Sequence, residues 1–485
     1  MKKILLLLVC FSFTFLTHAQ NDFSPALQLV NKNSAAIGLS KDDINNLIVK
    51  DSYYDEISGA QLVYLQQTYK GLPVFNQLHV LAFKNGVLVS AAGGRINGIE
   101  KRSNGLSSSP SIRPEAAVAT ALTAKMIPTS ESLVAVENLN GKYNFGKLGI
   151  AYENITAELV WLPLQNGKEV KLTWQVFLVP KQSSDYWMIR VDANTNQVID
   201  ENNLTVYCDW GNNKQHHHDG DCTTEIKNNS TFSREYFPFV QRRPFVQSPP
   251  LVGTANYLVI PYPAESPIHP GGTAALRTNP WTMTPGNATS LGWHNDGTTD
   301  YTVSRGNNVN AYEDRANANA PGLNAVSTTI PDPLNFNFPP NYTVAPTTAA
   351  FQQFAITNLF YWNNILHDIS YLYGFTEVAG NFQTSNQGRG GLGNDYVQAE
   401  AQDASGTNNA NFATPVDGLR PRMQMFLWSG TPQLDGDLDN GVILHEGSHG
   451  ISNRLTGGPS TTSCLGNQEQ MGEGWSDYIG LMATQ

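Results

Sequence analysis

Charge is scarce in this chain: only 15% of its 485 residues are charged, and the balance is acidic, −11 at pH 7. No basic stripe is available to neutralise phosphates, which argues against a nucleic-acid partner. Cysteine is scarcer still, at 4 residues. The apolar run at residues 4–16 is too short to span a bilayer. With Met1-Lys2-Lys3 before it and Thr17-His18-Ala19 after it, the run reads as a signal peptide over residues 1–19. A secreted, extracellular protein with no membrane span is expected. Histidine is absent beyond His449, and the chain stops within a helical pattern at residues 481–485. What is plentiful is glycine (41), proline (27) and apolar residues (40%). That composition fits a globular, strand- and loop-rich chain of two to four domains.

The densest chemistry lies in His445-Glu446-Gly447-Ser448-His449 and in Met471-Gly472-Glu473-Gly474-Trp475-Ser476-Asp477. Two histidines four apart on a helix share one face, so both imidazoles reach one Zn²⁺, with Glu446 beside it as general base. Asp439 or Asn440 can cap this helix, Val442, Ile443, Leu444, Ile451 and Leu455 give it apolar surface, and Gly457-Gly458 ends it. A catalytic zinc needs a third protein ligand. A histidine six residues after His449 would serve, but that position is Leu455. Glu473 remains, on a second helix expected over 470–483. Asp477, one turn further on, is placed to accept the other ring N–H of a ligating histidine. With 10 histidines, the paired motif arises by chance at a level of about 1%. Two polar histidines on a solvent-facing helix are the plain alternative.

These stretches resemble the signature of the fungalysin family of secreted zinc endopeptidases, relatives of thermolysin. So do residues 360–375, residues 408–418, Gly292-Trp293-His294-Asn295-Asp296-Gly297 and Arg305-Gly306-Asn307-Asn308-Val309. Gly447-Ser448 is a departure, since the family usually carries a bulkier aromatic-Thr pair there; glycine loosens a helix by about 1 kcal/mol relative to alanine. The resemblance implies an α+β chain of β-rich propeptide modules followed by a thermolysin-like domain. It implies that Asn409 and Ala410 belong to an edge strand holding substrate backbone by β-augmentation. It also implies a C-terminal helical lobe, with a histidine steadying the oxyanion, that this chain lacks; a fragment of low activity is expected. A partner for Cys464 beyond Gln485 follows from the same resemblance.

Taken in order, residues 20–100 read as a first propeptide module. Strands are expected at 62–68, 74–84 and 87–96, with Asn85-Gly86 a two-residue hairpin turn. A generic binding hairpin is the alternative. A serine-rich linker covers 103–111. Residues 112–202 read as a second, PepSY-like module, with a helix from Pro114 to about 125 and strands near 171–180 and 186–192. Asp192, Asn194 and Asn196 have calcium-loop spacing, but Gln197 and Asn203 stand where glycine and glutamate belong, so a hairpin turn is expected and calcium is unsupported. Residues 203–250 read as a connector. Cys208 and Cys222 in it can pair in an oxidising compartment. His216-His217-His218 reads as solvated linker, and Arg242-Arg243 as a processing point.

The metallopeptidase domain is expected over 251–485. It opens with a strand at 257–262 and carries a long helix over 349–373. His367-Asp368 on that helix reads as a structural contact, and residues 388–393 as turn chemistry without the setting of a phosphate cradle. The expected reaction is hydrolysis of protein or peptide substrates, in a zymogen whose own propeptide acts as inhibitor or chaperone. Two rivals are an inactive zinc-binding remnant and an exported binding or adhesion protein.

Overall fold

The computed structural model describes residues 23–208, 253–330, 332–465 and 471–484. The signal-peptide, Cys222, His216–His218 and Arg242-Arg243 readings lie outside the described residues. No helix among the described residues is long and apolar enough to cross a membrane.

Alternating apolar residues build the first module. Leu47–Asp55, Ala60–Tyr69, Leu72–Lys84 and Val87–Gly93 form an antiparallel meander. Asn85 and Gly86 turn between the last two strands with φ of 51° and 77°, the left-handed pair that a type I′ hairpin requires. Leu47, Val63, Leu65, Leu81 and Phe83 close against Ala26 and Val30 of helix Ser24–Lys32. The second module has its own core. There the helix Pro114–Ala124 lays Ala117, Val118, Ala121 and Leu122 over Trp161, Leu172 and Trp174 of the strands Thr156–Leu164 and Glu169–Leu178. At the Asp192 turn, Oδ1 accepts from the backbone N–H of Asn194 (2.8 Å) and Thr195 (3.0 Å), so that carboxylate is committed to the hairpin. The two cores share one 10-stranded sheet, joined where Val74 runs parallel beside Trp161.

The first residues of the stretch expected as a connector, up to Cys208, lie in or between strands. Val198–Asn203 completes the second module, and Thr205–Cys208 is a strand of a different sheet. That six-stranded sheet runs Thr205–Cys208, Ala410–Ala413, Arg422–Trp428, Val397–Thr407, Val309–Glu313, with Leu434–Asp435 beside Arg422–Trp428. A three-stranded sheet is centred on Ala255–Val259, slightly ahead of its expected place. Behind both lies helix Ala349–Leu372, buried at most positions from Phe351 to Asp368. A helix apolar on all sides belongs inside a core. It packs with helix Asn440–Gly457 in one cluster that includes Ile356, Phe360, Ile365, Ile443 and Leu444.

The first module sits directly on this cluster. Tyr53 and Tyr64 are part of it, the Tyr64 hydroxyl donates to the Leu455 carbonyl at 3.0 Å, and Ser460 donates to Asp51 at 2.9 Å. The second module makes its own contact, in which Arg422 donates to the Ser184 carbonyl at 2.6 Å.

Candidate metal centre

Helix Asn440–Gly457 is started by Asp439, whose carboxylate accepts from the Val442 N–H at 3.2 Å. Its glycines set its depth. A Cβ at Gly447 would meet Leu366 Cδ2 at 2.3 Å, and one at Gly450 would meet Phe412 Cε1 at 2.6 Å. The departure from the family pair at 447 is therefore filled by the neighbouring helix. On the face this creates, the rings of His445 and His449 lie 4.7 Å apart and both are buried.

Helix Met471–Ala483, expected over 470–483, packs alongside. The Glu473 Oε2 atom lies 3.2 Å from His445 Nε2 and 3.4 Å from His449 Nε2, and the two Nε2 atoms are 3.0 Å apart. One turn on, Asp477 Oδ1 is 2.9 Å from His445 Nδ1. A carboxylate accepting there fixes the proton on Nδ1 and leaves the lone pair on Nε2. Lone pairs of two imidazoles and a carboxylate then converge at hydrogen-bond distance, which is repulsive unless a cation lies between them. Bonds of 2.0–2.1 Å in a tetrahedral arrangement place ligand atoms roughly 3.3–3.4 Å apart, close to the spacing found. The donor set therefore fits zinc.

Electrostatics agree with ligand duty. Burial lowers the pKa of His449, keeping the ring neutral as a ligand must be. Burial raises that of Glu473, but the positive pole that the two histidines turn toward it in the metal-free chain, in the place a cation would take, holds the group below the usual carboxylate range. Glu446 is fully buried, and its carboxylate faces the Cys208 thiol with no other hydrogen-bond partner. Burial pushes its pKa well up.

One residue arrives here from the far end of the N-terminal part. Cys208 Sγ lies 3.2 Å from His449 Nε2, 3.3 Å from His445 Nε2 and 3.6 Å from Glu473 Oε2. Cys208 is a free thiol inside the site; Cys222, with which a pairing is expected from the sequence, lies outside the described residues. The sequence carried only a weak signal for it, the strand-like alternation of Thr205-Val206-Tyr207-Cys208 inside a stretch otherwise polar.

Ala410 lies beside the site: it pairs with Met425 on one side and with Cys208, which occupies its outer edge, on the other. Asn409 turns its own Oδ1 onto the Ala410 N–H at 2.8 Å. His367 and Asp368 bond each other at 3.0 Å, and Asp368 accepts from Trp293 Nε1 at 3.0 Å and from Thr284 at 3.2 Å. They are core polar groups.

The fold thus brings two histidines, a carboxylate and a thiol together, a group able to hold a metal ion. Residues 256–485 match the family model of the fungalysin metallopeptidases (M36), and residues 45–94 match the fungalysin/thermolysin propeptide motif. The extracellular metalloproteinase MEP of Pyricularia oryzae is 45% identical over 235 residues, 48% of this chain and 36% of that protein. Extracellular metalloproteinase 2 of Arthroderma benhamiae is 45% identical over 230 residues, 47% of this chain and 35% of that protein. The chain thus spans about a third of the length of these relatives. Among solved structures it is similar to the Bacillus megaterium YpeB C-terminal domain at a TM-score of 0.21 and 12% identity, over 39% of this chain and 67% of that one, too slight a likeness to carry an argument. Over residues 256–485 the chain is thus similar to the fungalysin metallopeptidases, with a stretch similar to the fungalysin/thermolysin propeptide motif ahead of it.

Proposed function

We infer that this chain is the latent form of a secreted zinc endopeptidase. In this reading residues 1–19 are a signal peptide, 20–100 and 112–202 are propeptide modules, and 251–485 form a thermolysin-like peptidase domain. The observation that carries it is the convergence of His445, His449 and Glu473 within 3.4 Å of one another beside a buried Glu446.

His445, His449 and Glu473 would hold the zinc, which supplies Lewis acidity toward water and the scissile carbonyl. Asp477 keeps His445 in the ligating tautomer. Glu446 takes the proton of the attacking water and passes it to the leaving nitrogen. Strand Ala410–Ala413, with Asn409 before it, is where a substrate backbone would add as a further strand. Thr205–Cys208 lies along that strand in antiparallel register, Cys208 opposite Ala410 and Thr205 opposite Ala413. A substrate strand and the end of the propeptide therefore compete for one place, which accounts for latency. The extracellular location is supported by the names of the relatives and by the apolar leader at residues 4–16.

The test is Glu446→Gln in the chain freed of its propeptide. Removing a positioned general base lowers hydrolysis by about 10²–10⁴-fold, while zinc stoichiometry stays at that of the wild type. His445→Ala should lose both. Hydrolysis retained in Glu446→Gln would defeat the assignment of the base.

A further inference from the structure

A catalytic zinc centre keeps one coordination position open, and a structural one is closed by a fourth protein ligand. In this chain the fourth place is taken. We propose that Cys208 is a thiolate ligand of the same ion, so that the propeptide is fastened by a metal–sulfur bond and the centre is held in a closed, structural-type coordination until that strand leaves.

The proposal rests on the three-ligand reading above and adds one residue to it. For bonds of about 2.3 Å to sulfur and 2.0–2.1 Å to nitrogen or oxygen, tetrahedral edges from sulfur come to roughly 3.5 Å. The distances from Cys208 Sγ to the three ligand atoms are 3.2, 3.3 and 3.6 Å. All four candidate ligand atoms lie within 4.8 Å of one another.

The thiol is put there by main chain rather than by a mobile side chain. Thr205–Cys208 holds a four-residue register with Ala410–Ala413. The strand is pinned upstream, where Thr205 Oγ1 donates to the Ser184 carbonyl at 2.9 Å and Tyr207 donates to Asp185 at 3.0 Å. A second observation is Glu446, fully buried with its carboxylate turned to the Cys208 thiol and to no other hydrogen-bond partner. With sulfur in the fourth place there is no nucleophilic water for that carboxylate to hold, so it stands idle beside a complete ligand set. Charge closes as well: one thiolate and one carboxylate neutralise a divalent ion, which suits a site this buried.

The ligation step moves no electrons. The Cys208 thiol gives its proton to solvent, its sulfur takes the fourth position, and one water leaves. Opening is the reverse, with the released thiolate taking a proton back. The latch is therefore specific to sulfur, beyond what strand pairing alone provides.

Cobalt(II) loaded into the full 485-residue chain tests this without reference to activity, because thiolate ligation gives a near-ultraviolet charge-transfer band and four-coordination gives intense visible bands. The expected result is both sets of bands in the wild type and in Cys464→Ser. In Cys208→Ser the charge-transfer band is lost, while the visible bands and one cobalt per chain remain. Visible bands without charge transfer in the wild type would overturn the thiolate latch and leave the three-ligand centre standing. A charge-transfer band that survives Cys208→Ser would overturn the latch too. Failure of the wild type to bind cobalt at all would remove both. Should Cys208→Ser not fold, Cys208→Ala carries the same comparison, and the wild-type spectrum by itself still decides whether sulfur is bound.

Discussion

Gly450 gives Phe412 the space that a Cβ would take: an added carbon there falls 2.6 Å from Phe412 Cε1 and 2.8 Å from Phe382 Cζ. The glycine follows His449 directly, and Phe412 lies on the strand that pairs with Thr205–Cys208. One missing side chain thus sets the distance between the histidine helix and the sheet that carries strand Thr205–Cys208.

Gly450→Ala separates two opposing effects. Helix propensity favours alanine by about 1 kcal/mol, while overpacking against two buried rings costs about 1–3 kcal/mol. We expect net destabilisation of up to about 2 kcal/mol, read as a lower urea midpoint at unchanged slope. A higher midpoint would mean that the rings yield and that close approach is not what keeps this position glycine.

Asp477→Asn tests the outer support of the metal centre. The carboxylate lies 2.9 Å from His445 Nδ1, and loss of such a partner typically weakens metal affinity 10–100-fold. Competition with a chromophoric chelator should show that weakening, with fold and metal stoichiometry intact at saturating zinc. Unchanged affinity would make Asp477 a bystander.

Arg454 anchors the end of the histidine helix and is completely buried. Its guanidinium donates to Asp395 at 2.9 Å, to Asp417 at 3.3 Å, and to the carbonyls of Gly380 and Pro415 at 2.8 and 3.0 Å. Lysine has three donors in place of five and no fork. Breaking a buried pair from one side costs about 3–5 kcal/mol, so Arg454→Lys should lose about that much stability in denaturant titrations. A loss below about 1 kcal/mol would show that the ammonium replaces the network.

Acidity should stabilise this fold in part through one cluster. Asp314, Glu400 and Asp403 are buried together. Burial, against the pull of Arg422, pushes the Glu400 carboxyl up to about 7. Burial, with the charge of Asp314 adding to it, pushes Asp403 up to about 6. Unfolded, these groups titrate near 4. The folded state therefore binds more protons between about pH 4 and 7, and stability falls as pH rises through that window. Asp403→Asn removes its part of that fall, leaving a flatter pH profile and a gain of up to about 3 kcal/mol at pH 8 relative to wild type. A profile as steep as that of the wild type would place the titration elsewhere.

Much of this protein was legible in local spacing. The hairpin at Asn85-Gly86, the helices at 114–124 and 349–372, and the His445/His449 face all follow from periods of two or 3.6 residues and from turn residues in fixed places. Glu473 and Asp477 were readable as a pair because one helical turn separates them. Cys208 was not, since its partners stand at 410, 445, 449 and 473, and no local period connects them. Its spacing to Cys222 suggested a disulfide because sequence shows only neighbours along the chain.

The amino-acid sequence by itself determined that His445 and His449 share one helix face and that Glu473 and Asp477 share another, because those relations span four residues of hydrogen-bonded backbone. Only the tertiary structure decided that the strand Thr205–Cys208 lies on Ala410–Ala413 and delivers a thiol to the histidines. Strand pairing across some two hundred residues is settled by the burial of whole surfaces against one another, and no short stretch of sequence encodes it.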